Sequence, residues 1–187
     1  MEEELNFVLE HAREQMQKAI SHLDAELLKI RAGKANPQML DGIYVDYYGA
    51  NVPLTNVANI NTPDARTLVI QPWEKSMLQP VEKAIQAANL GLNPQNDGSL
   101  IRINVPLLTE ERRRNLVKQS KTEAENAKVS IRSIRRDANE SIKKLQKDGL
   151  PEDMAKDGEA KTQQLTDSYI SKVDEKVNVK EKEIMTV

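Results

Sequence analysis

Three stretches of the chain repeat apolar residues at steps of three and four, the spacing that places them on one face of an α-helix. The first stretch, residues 2–30, contains no Pro or Gly. Its apolar positions are Leu5, Leu9, Ala12, Met16, Ala19, Leu23, Leu27 and Ile30. The pattern predicts one long helix with a single apolar seam. It stops where Gly33 can leave the helix and Pro37 bars its predecessor from helical geometry.

The second and third stretches, 109–147 and 151–185, show the same period. Thr109 predicts the N-terminal cap of the second helix, and Gly158 is expected to weaken the start of the third. The short turn at 147–150 forces these two helices to be antiparallel. We therefore expect a three-helix bundle. Its other apolar positions are Leu116, Ala124, Ala127, Ile131, Ile134, Ala138, Ile142 and Leu145, then Leu165, Tyr169, Val173, Val177 and Ile184.

Between the first two helices the pattern changes to short β-branched runs bounded by Gly and Pro. Strands are predicted at 43–48, 67–71 and 99–105, with a helix over 76–89 capped by Ser76. The fold class is therefore α+β: a long antiparallel three-helix bundle, with a small sandwich-like β/α/β domain inserted into it. We assign 1–31 and 107–187 to the bundle, and 32–106 to the inserted domain.

The chain crosses between these two domains twice, at 31–37 and 104–108. Both crossings contain residues that end regular structure, so together they predict a two-strand hinge. The residues assigned to the hinge are Gly33, Asn36, Pro37, Val105, Pro106 and Leu107.

Composition narrows the class of protein. The chain of 187 residues has no Cys, which excludes disulfides and thiolate metal sites and suits a reducing compartment. The N-terminal sequence lacks the pattern of a signal or transit peptide, and no apolar run approaches the roughly 20 residues of a membrane span. We expect an unprocessed, soluble, cytoplasmic protein that is monomeric and has no membrane partner.

Enzymatic and metal-binding interpretations find little support. His11 and His22 are about 16 Å apart along one helix, too far to share a metal ion. Ser21, His22 and Asp24 have the residue types of a catalytic triad, but neighbours on one helix point apart. There is no glycine-rich phosphate loop. We expect no catalytic residues, no metal and no cofactor.

Charge identifies the remaining candidate site. The net charge is −2, yet residues 109–147 contain 12 basic and 6 acidic side chains. Their spacing gathers a basic stripe beside the apolar seam of the second helix. It consists of Arg114, Lys118, Lys121, Lys128, Arg132, Arg135, Arg136, Lys143 and Lys147.

Such a stripe can be the ordinary solvated face of a bundle helix. Against this stands the clustering of Arg132, Arg135 and Arg136 within about one turn, where we expect no acidic side chain close enough to neutralise them. Few aromatic residues accompany them, which favours folded RNA bound through shape and phosphates over a single strand.

Six motifs, in order, extend over essentially the whole chain: KIRAGKANP at 29–37, VDYYG at 45–49, DARTL at 64–68, LGLNP at 90–94, LTEERR at 108–113 and IRSIRRDAN at 131–139. In these motifs the chain resembles the ribosome recycling factor family. It departs at Leu107, where many relatives have a proline or a small residue.

The resemblance implies an L-shaped, non-enzymatic factor that binds the large ribosomal subunit. With elongation factor G and GTP hydrolysis, such a factor splits post-termination ribosomes, and the inserted domain swings about the hinge. By motif position the ribosomal-RNA contacts fall on Arg132 and Arg135, supported by Arg31 and neighbouring basic residues, among which we count Arg136, Lys121 and Lys128. The competing interpretation is a helical adaptor that binds a protein and has no RNA role.

Overall fold

The computed structural model describes residues 1–30 and 33–186. It contains two compact units: the bundle unit, Met1–Ala32 with Thr109–Val187, and the inserted unit, Gly33–Leu108. The described helices are α1 Glu2–Lys29, α2 Leu78–Ala87, α3 Glu110–Lys147 and α4 Glu152–Met185. The described strands are β1 Tyr44–Tyr47, β2 Ala50–Pro53, β3 Ala58–Asp64, β4 Thr67–Pro72, β5 Pro94–Asn96 and β6 Ile101–Asn104. Short 3-10 helices cover Pro37–Leu40, Leu54–Asn56 and Lys75–Met77.

The bundle unit is the predicted three-helix bundle. Helices α1 and α4 run parallel. The Tyr169 hydroxyl donates a hydrogen bond to Gln17, and about two turns further along both helices Lys176 pairs with Asp24 at 2.9 Å. The tight turn at 148–150 reverses the chain between α3 and α4. The buried apolar core consists of Leu5, Ala12, Met16, Ile20, Leu23 and Leu27 of α1, Leu116, Ala124, Ala127, Ile131, Ala138 and Ile142 of α3, and Ala155, Tyr169, Val173, Val177 and Ile184 of α4.

The start of α3 confirms the predicted cap. Thr109 Oγ1 accepts a hydrogen bond from the backbone N–H of Arg112 at 3.1 Å, which satisfies one of the free donors of the first turn. From there α3 continues for 38 residues, about 57 Å, without interruption.

Several seam positions differ from the prediction. Ser120, Thr162 and Thr166 are fully buried although they are polar. Each hydroxyl donates to the backbone carbonyl four residues earlier, so burial leaves no unpaired donor. An apolar repeat does not include these positions, because Ser and Thr are polar residues. Their hydrogen bonds to their own helix allow them to be buried in the core. Five predicted seam residues are only partly buried: Leu9, Ala19, Ile134, Leu145 and Leu165.

Gly158 has a packing role that its helix propensity conceals. A Cβ at this position would lie 2.9 Å from Leu5 Cδ1 and 3.3 Å from Ile142 Cδ1. Side chains of α1 and α3 therefore meet at the point where α4 has no side chain.

We expect Gly158→Leu to lower the free energy of unfolding by about 2–3 kcal/mol, since it overpacks this contact. Gly158→Ala should stay within about 1 kcal/mol of the wild type, because a gain in helix propensity opposes a small displacement of Leu5. Chemical denaturation measures both. The matched control is Ser171→Leu, at an exposed position of α4. Equal stability of the two leucine variants would contradict the close approach.

The inserted unit contains two antiparallel sheets and one helix. Strands β1 and β2 form a hairpin, and the other four strands form a sheet in the order β3-β4-β6-β5. Helix α2 packs against both sheets. The unit has its own core: Met39, Leu40, Ile43, Val45, Leu54, Val57, Ala58, Leu68, Ile70, Met77, Leu78, Val81, Ile85, Ile101, Ile103 and Val105.

The three β-branched strands were predicted, and β2, β3 and β5 were missed. The missed strands read ANVP, ANINTPD and PQN, and they are rich in Asn and Pro, residues that strands disfavour. They form because each hydrogen-bonds a predicted strand: β2 pairs with β1, β3 with β4, and β5 with β6. The predicted Ser76 cap was wrong. A 3-10 turn precedes α2, whose N-cap residue is Met77, with no side-chain capping bond.

Candidate nucleic-acid interface

The basic stripe lies along the flank of α3, beside its buried seam. Arg114, Lys118, Lys121, Arg136, Lys143 and Lys147 are exposed, and Lys128, Arg132 and Arg135 are partly exposed. The core residues Ile131 and Ala138 are buried on the neighbouring side of the same turns. Because these buried contacts fix the rotation of α3, they also fix the direction in which the basic side chains project.

Arg132, Arg135 and Arg136 form the arginine cluster. Residues three and four apart on a helix have Cβ atoms about 5–6 Å apart, so Arg132 lies beside both Arg135 and Arg136 on the surface of α3. Within residues 1–30 and 33–186, Arg135 and Arg136 have no acidic side chain within 4.0 Å. Two unneutralised guanidiniums in adjacent positions suit the oxygens of phosphate groups.

Arg132 differs from the other two. Its Nη1 lies 3.5 Å from Glu125 Oε1, two turns earlier on the same stripe. The prediction that no acidic side chain neutralises the cluster was therefore wrong for this member. The Arg132 side chain is 41% exposed and that of Glu125 is 65% exposed, so water weakens the pair and it can exchange for a stronger anion.

The predicted RNA contacts outside the arginine cluster have different surroundings. Lys128 Nζ lies 2.6 Å from Asp174 Oδ1 of α4, and its side chain is only 21% exposed. This lysine therefore links α3 to α4. Lys121 is exposed and, in the part of the chain that the structure describes, has no ion-pair partner. Arg31 lies outside the described residues.

Three of the predicted hinge residues are held within the inserted unit. Asn36 Oδ1 accepts a hydrogen bond from the backbone N–H of Gln38, and Pro37 begins a 3-10 helix. Val105 is buried in the core of the unit. These three residues therefore have fixed surroundings inside the inserted unit.

Both crossings are tied to the turn between β3 and β4. The backbone N–H of Ala35 donates to Ala65 O at 2.8 Å, and that of Val105 donates to Arg66 O at 2.7 Å. The same turn is shaped by Asp64, whose carboxylate accepts hydrogen bonds from Arg66 N and Thr67 Oγ1. These bonds lower the pKa of Asp64, the backbone bond from Arg66 being the largest cause.

The ribosome recycling factor family model matches residues 23–185. Ribosome-recycling factor of Flavobacterium psychrophilum is 57% identical over 187 residues, which is 100% of both chains. The chain belongs to the ribosome recycling factor family. The factor of Porphyromonas gingivalis is 56% identical over 185 residues, covering 98% of this chain and 100% of that one.

Two solved structures of the family share the fold. The solution structure of a ribosome recycling factor has a TM-score of 0.77 at 38% identity and covers 98% of both chains. The second structure is of the T. thermophilus ribosome recycling factor and the E. coli elongation factor G bound to the E. coli post-termination complex. It has a TM-score of 0.63 at 45% identity and covers 97% of this chain and 99% of that one.

In this member of the ribosome recycling factor family, the two crossings meet where Gly33 contacts Leu108, which is not among the predicted hinge residues. Gly33 has φ +75°, and a Cβ on it would lie 2.7 Å from Leu108 Cγ. Leu108 comes directly after Pro106 and Leu107 of the predicted hinge. The contact was not predictable, because 74 residues of inserted structure separate its partners.

Other kinds of site are not seen in the described residues. No group of three or more His, Cys, Asp or Glu side chains could hold a metal ion there. His11 stacks on Phe7 at a ring distance of 6.1 Å, and His22 is exposed further along α1. None of the helices within 1–30 and 33–186 is long and apolar enough to cross a membrane.

Proposed function

We propose that the chain recycles ribosomes. It binds the large subunit of the post-termination ribosome and, with elongation factor G and GTP, promotes separation of the subunits. The observation that carries this proposal is family membership over the full length, with relatives named for ribosome recycling. One structural relative is bound with elongation factor G to a post-termination complex. The chain is then a non-enzymatic, monomeric factor that acts in the cytoplasm, where post-termination ribosomes are found.

The proposed RNA contacts are the unneutralised Arg135 and Arg136, together with Arg132 once it releases Glu125. Arg31 and Lys121 supply further positive charge. Lys128 has a smaller role, because its ammonium group already binds Asp174. Phosphate neutralisation releases counterions, so binding through this surface weakens as salt rises.

The proposed hinge lies at the ends of the two crossings. Of the six residues assigned to it, Asn36, Pro37 and Val105 act as anchors, while Gly33, Pro106 and Leu107 form the joint. The joint connects a bundle domain, 1–31 and 107–187, to an inserted domain, 32–106. Hydrogen bonds to Ala65 and Arg66 support this division, since they confine bending to the short segments beyond them. The inserted domain then moves as one body when elongation factor G acts on it.

A subunit-splitting assay tests the function. We expect light scattering of purified post-termination ribosomes to fall when the chain, elongation factor G and GTP are all present, and to stay constant when any one of them is omitted. A chain that binds salt-washed ribosomes without supporting splitting would be a different ribosome-binding factor. Failure to bind ribosomes at all would favour the helical adaptor.

A further inference from the structure

The hairpin of the inserted unit has a tyrosine where its turn disfavours one. Strands β1 and β2 are joined by two residues, Tyr48 with φ +48° and Gly49 with φ +88°. Two-residue turns with both φ angles positive strongly prefer Asn-Gly, because a bulky side chain is strained in the left-handed region. Asparagine at position 48 would serve the turn better than tyrosine does.

The strained tyrosine is held by a carboxylate. Tyr48 and Tyr47 donate their hydroxyl hydrogens to the two oxygens of Glu74, both at 2.8 Å. The two rings meet edge to face with centroids 4.7 Å apart. These hydrogen bonds, that of Tyr48 first, lower the pKa of Glu74, and the bond to Glu74 raises the pKa of Tyr47. We call Tyr47, Tyr48 and Glu74 the tyrosine–glutamate cluster.

Stability alone does not account for Tyr48. Its side chain is 74% exposed, so the hydrogen bond to Glu74 competes with water and contributes little to folding. Trp73, which precedes Glu74 in the chain, is 60% exposed. Large, rigid aromatic side chains on the surface are the residues that contribute most to protein interfaces. A strained, exposed and immobilised tyrosine therefore indicates a surface prepared for a partner.

We propose that the tyrosine–glutamate cluster is a docking surface for a protein that presents an arginine or lysine side chain. The inference deepens the proposed function and rests on it, because the partner is one that meets the inserted unit during splitting. A guanidinium or ammonium group can lie over the Tyr48 ring while it pairs with the Glu74 carboxylate. Each carboxylate oxygen retains a lone pair after it accepts its tyrosine hydrogen bond.

The charge of the cluster argues for protein over RNA. The carboxylate lies beside the aromatic rings, where it would repel the phosphates of a nucleotide stacked on Tyr48. The basic stripe of α3 has the opposite character. The two surfaces are therefore chemically suited to two different partners, a polyanion at α3 and a basic protein at the hairpin.

The test uses the full chain with purified ribosomes, elongation factor G and GTP. We expect Tyr48→Asn to raise the concentration of the chain that gives half-maximal splitting roughly tenfold, the effect of losing an interface anchor. The melting temperature should not fall, because Asn suits the turn. Tyr44→Thr is the matched control: it removes another exposed tyrosine of the hairpin and should leave splitting unchanged. An unchanged half-maximal concentration for Tyr48→Asn would overturn the proposal.

Charge reversal and crosslinking identify the class of partner. Glu74→Lys should raise the half-maximal concentration for splitting at least as much as Tyr48→Asn does. A lower half-maximal concentration would point to a nucleic acid and overturn the proposal. The photoreactive residue p-benzoylphenylalanine in place of Tyr48 should crosslink to a protein segment that contains Arg or Lys. A crosslink to ribosomal RNA instead would also overturn it. The wild-type chain in the same assay tests the proposed function separately, because its failure to split ribosomes would contradict that function.

Discussion

Replacing Arg135 by alanine is expected to weaken binding to salt-washed ribosomes about tenfold, a loss of about 1.4 kcal/mol. Arg135 has no acidic neighbour within 4.0 Å in the described part of the chain, so its charge is available to a phosphate. Its loss should also reduce the slope of log affinity against log salt by about one, as expected for one phosphate contact. The double variant Arg132→Ala with Arg135→Ala should lose roughly a hundredfold if the two contacts are independent.

The matched control for this prediction is Arg114→Ala. Arg114 lies on the same basic stripe and carries the same charge, but it is outside the arginine cluster, about 32 Å from Arg135 along α3. Its removal should change binding only slightly, and neither variant should change the melting temperature appreciably. Equal losses for Arg114→Ala and Arg135→Ala would mean that overall charge, and not the arginine cluster, determines binding.

Glu125 provides a second check on the same surface. It pairs with Arg132 at 3.5 Å, so an incoming phosphate has to displace it. Glu125→Gln removes this competitor and is expected to tighten binding modestly. Weaker binding after this change would indicate that the ion pair positions Arg132 for its contact.

The long helices and the basic stripe could be predicted because both depend on local spacing. Helix α3 has no Pro or Gly, and its core residues and arginines keep the same angular positions in any straight helix. The ion pairs that members of the stripe form with other helices could not be predicted. Lys128 is occupied by Asp174, a residue of another helix, and only the packing of α3 against α4 brings them together.

In the inserted unit, even more of the structure depends on contacts between distant parts of the chain, which the sequence pattern does not reveal. Its apolar strands were recognisable, but β3 and β5 are strands only because β4 and β6 offer them hydrogen bonds. The anchoring of the crossings at Ala65 and Arg66 uses backbone atoms. Any residue type carries those atoms, so no motif in the sequence marks them.

Gly33 is the position where a small change should most affect the crossings. An L-residue there takes up the strain of a positive φ, about 1–2 kcal/mol. Its Cβ also meets Leu108 Cγ at 2.7 Å, closer than nonbonded atoms tolerate. Overpacking of this kind adds about 1–3 kcal/mol. We therefore expect Gly33→Ala to destabilise the inserted unit by about 2–5 kcal/mol and to slow subunit splitting, while ribosome binding through the bundle unit persists.

Two variants separate the causes. Gly42 has φ +82° and no atom within 4 Å of its would-be Cβ, so Gly42→Ala reports the backbone strain alone. Adding Leu108→Ala to Gly33→Ala removes the colliding side chain and should recover part of the lost stability and splitting rate. If Gly33→Ala and Gly42→Ala behave alike, and Leu108→Ala restores nothing, the contact between the crossings has no role. Splitting would then depend on the flexibility of the joint, without a specific contact between its strands.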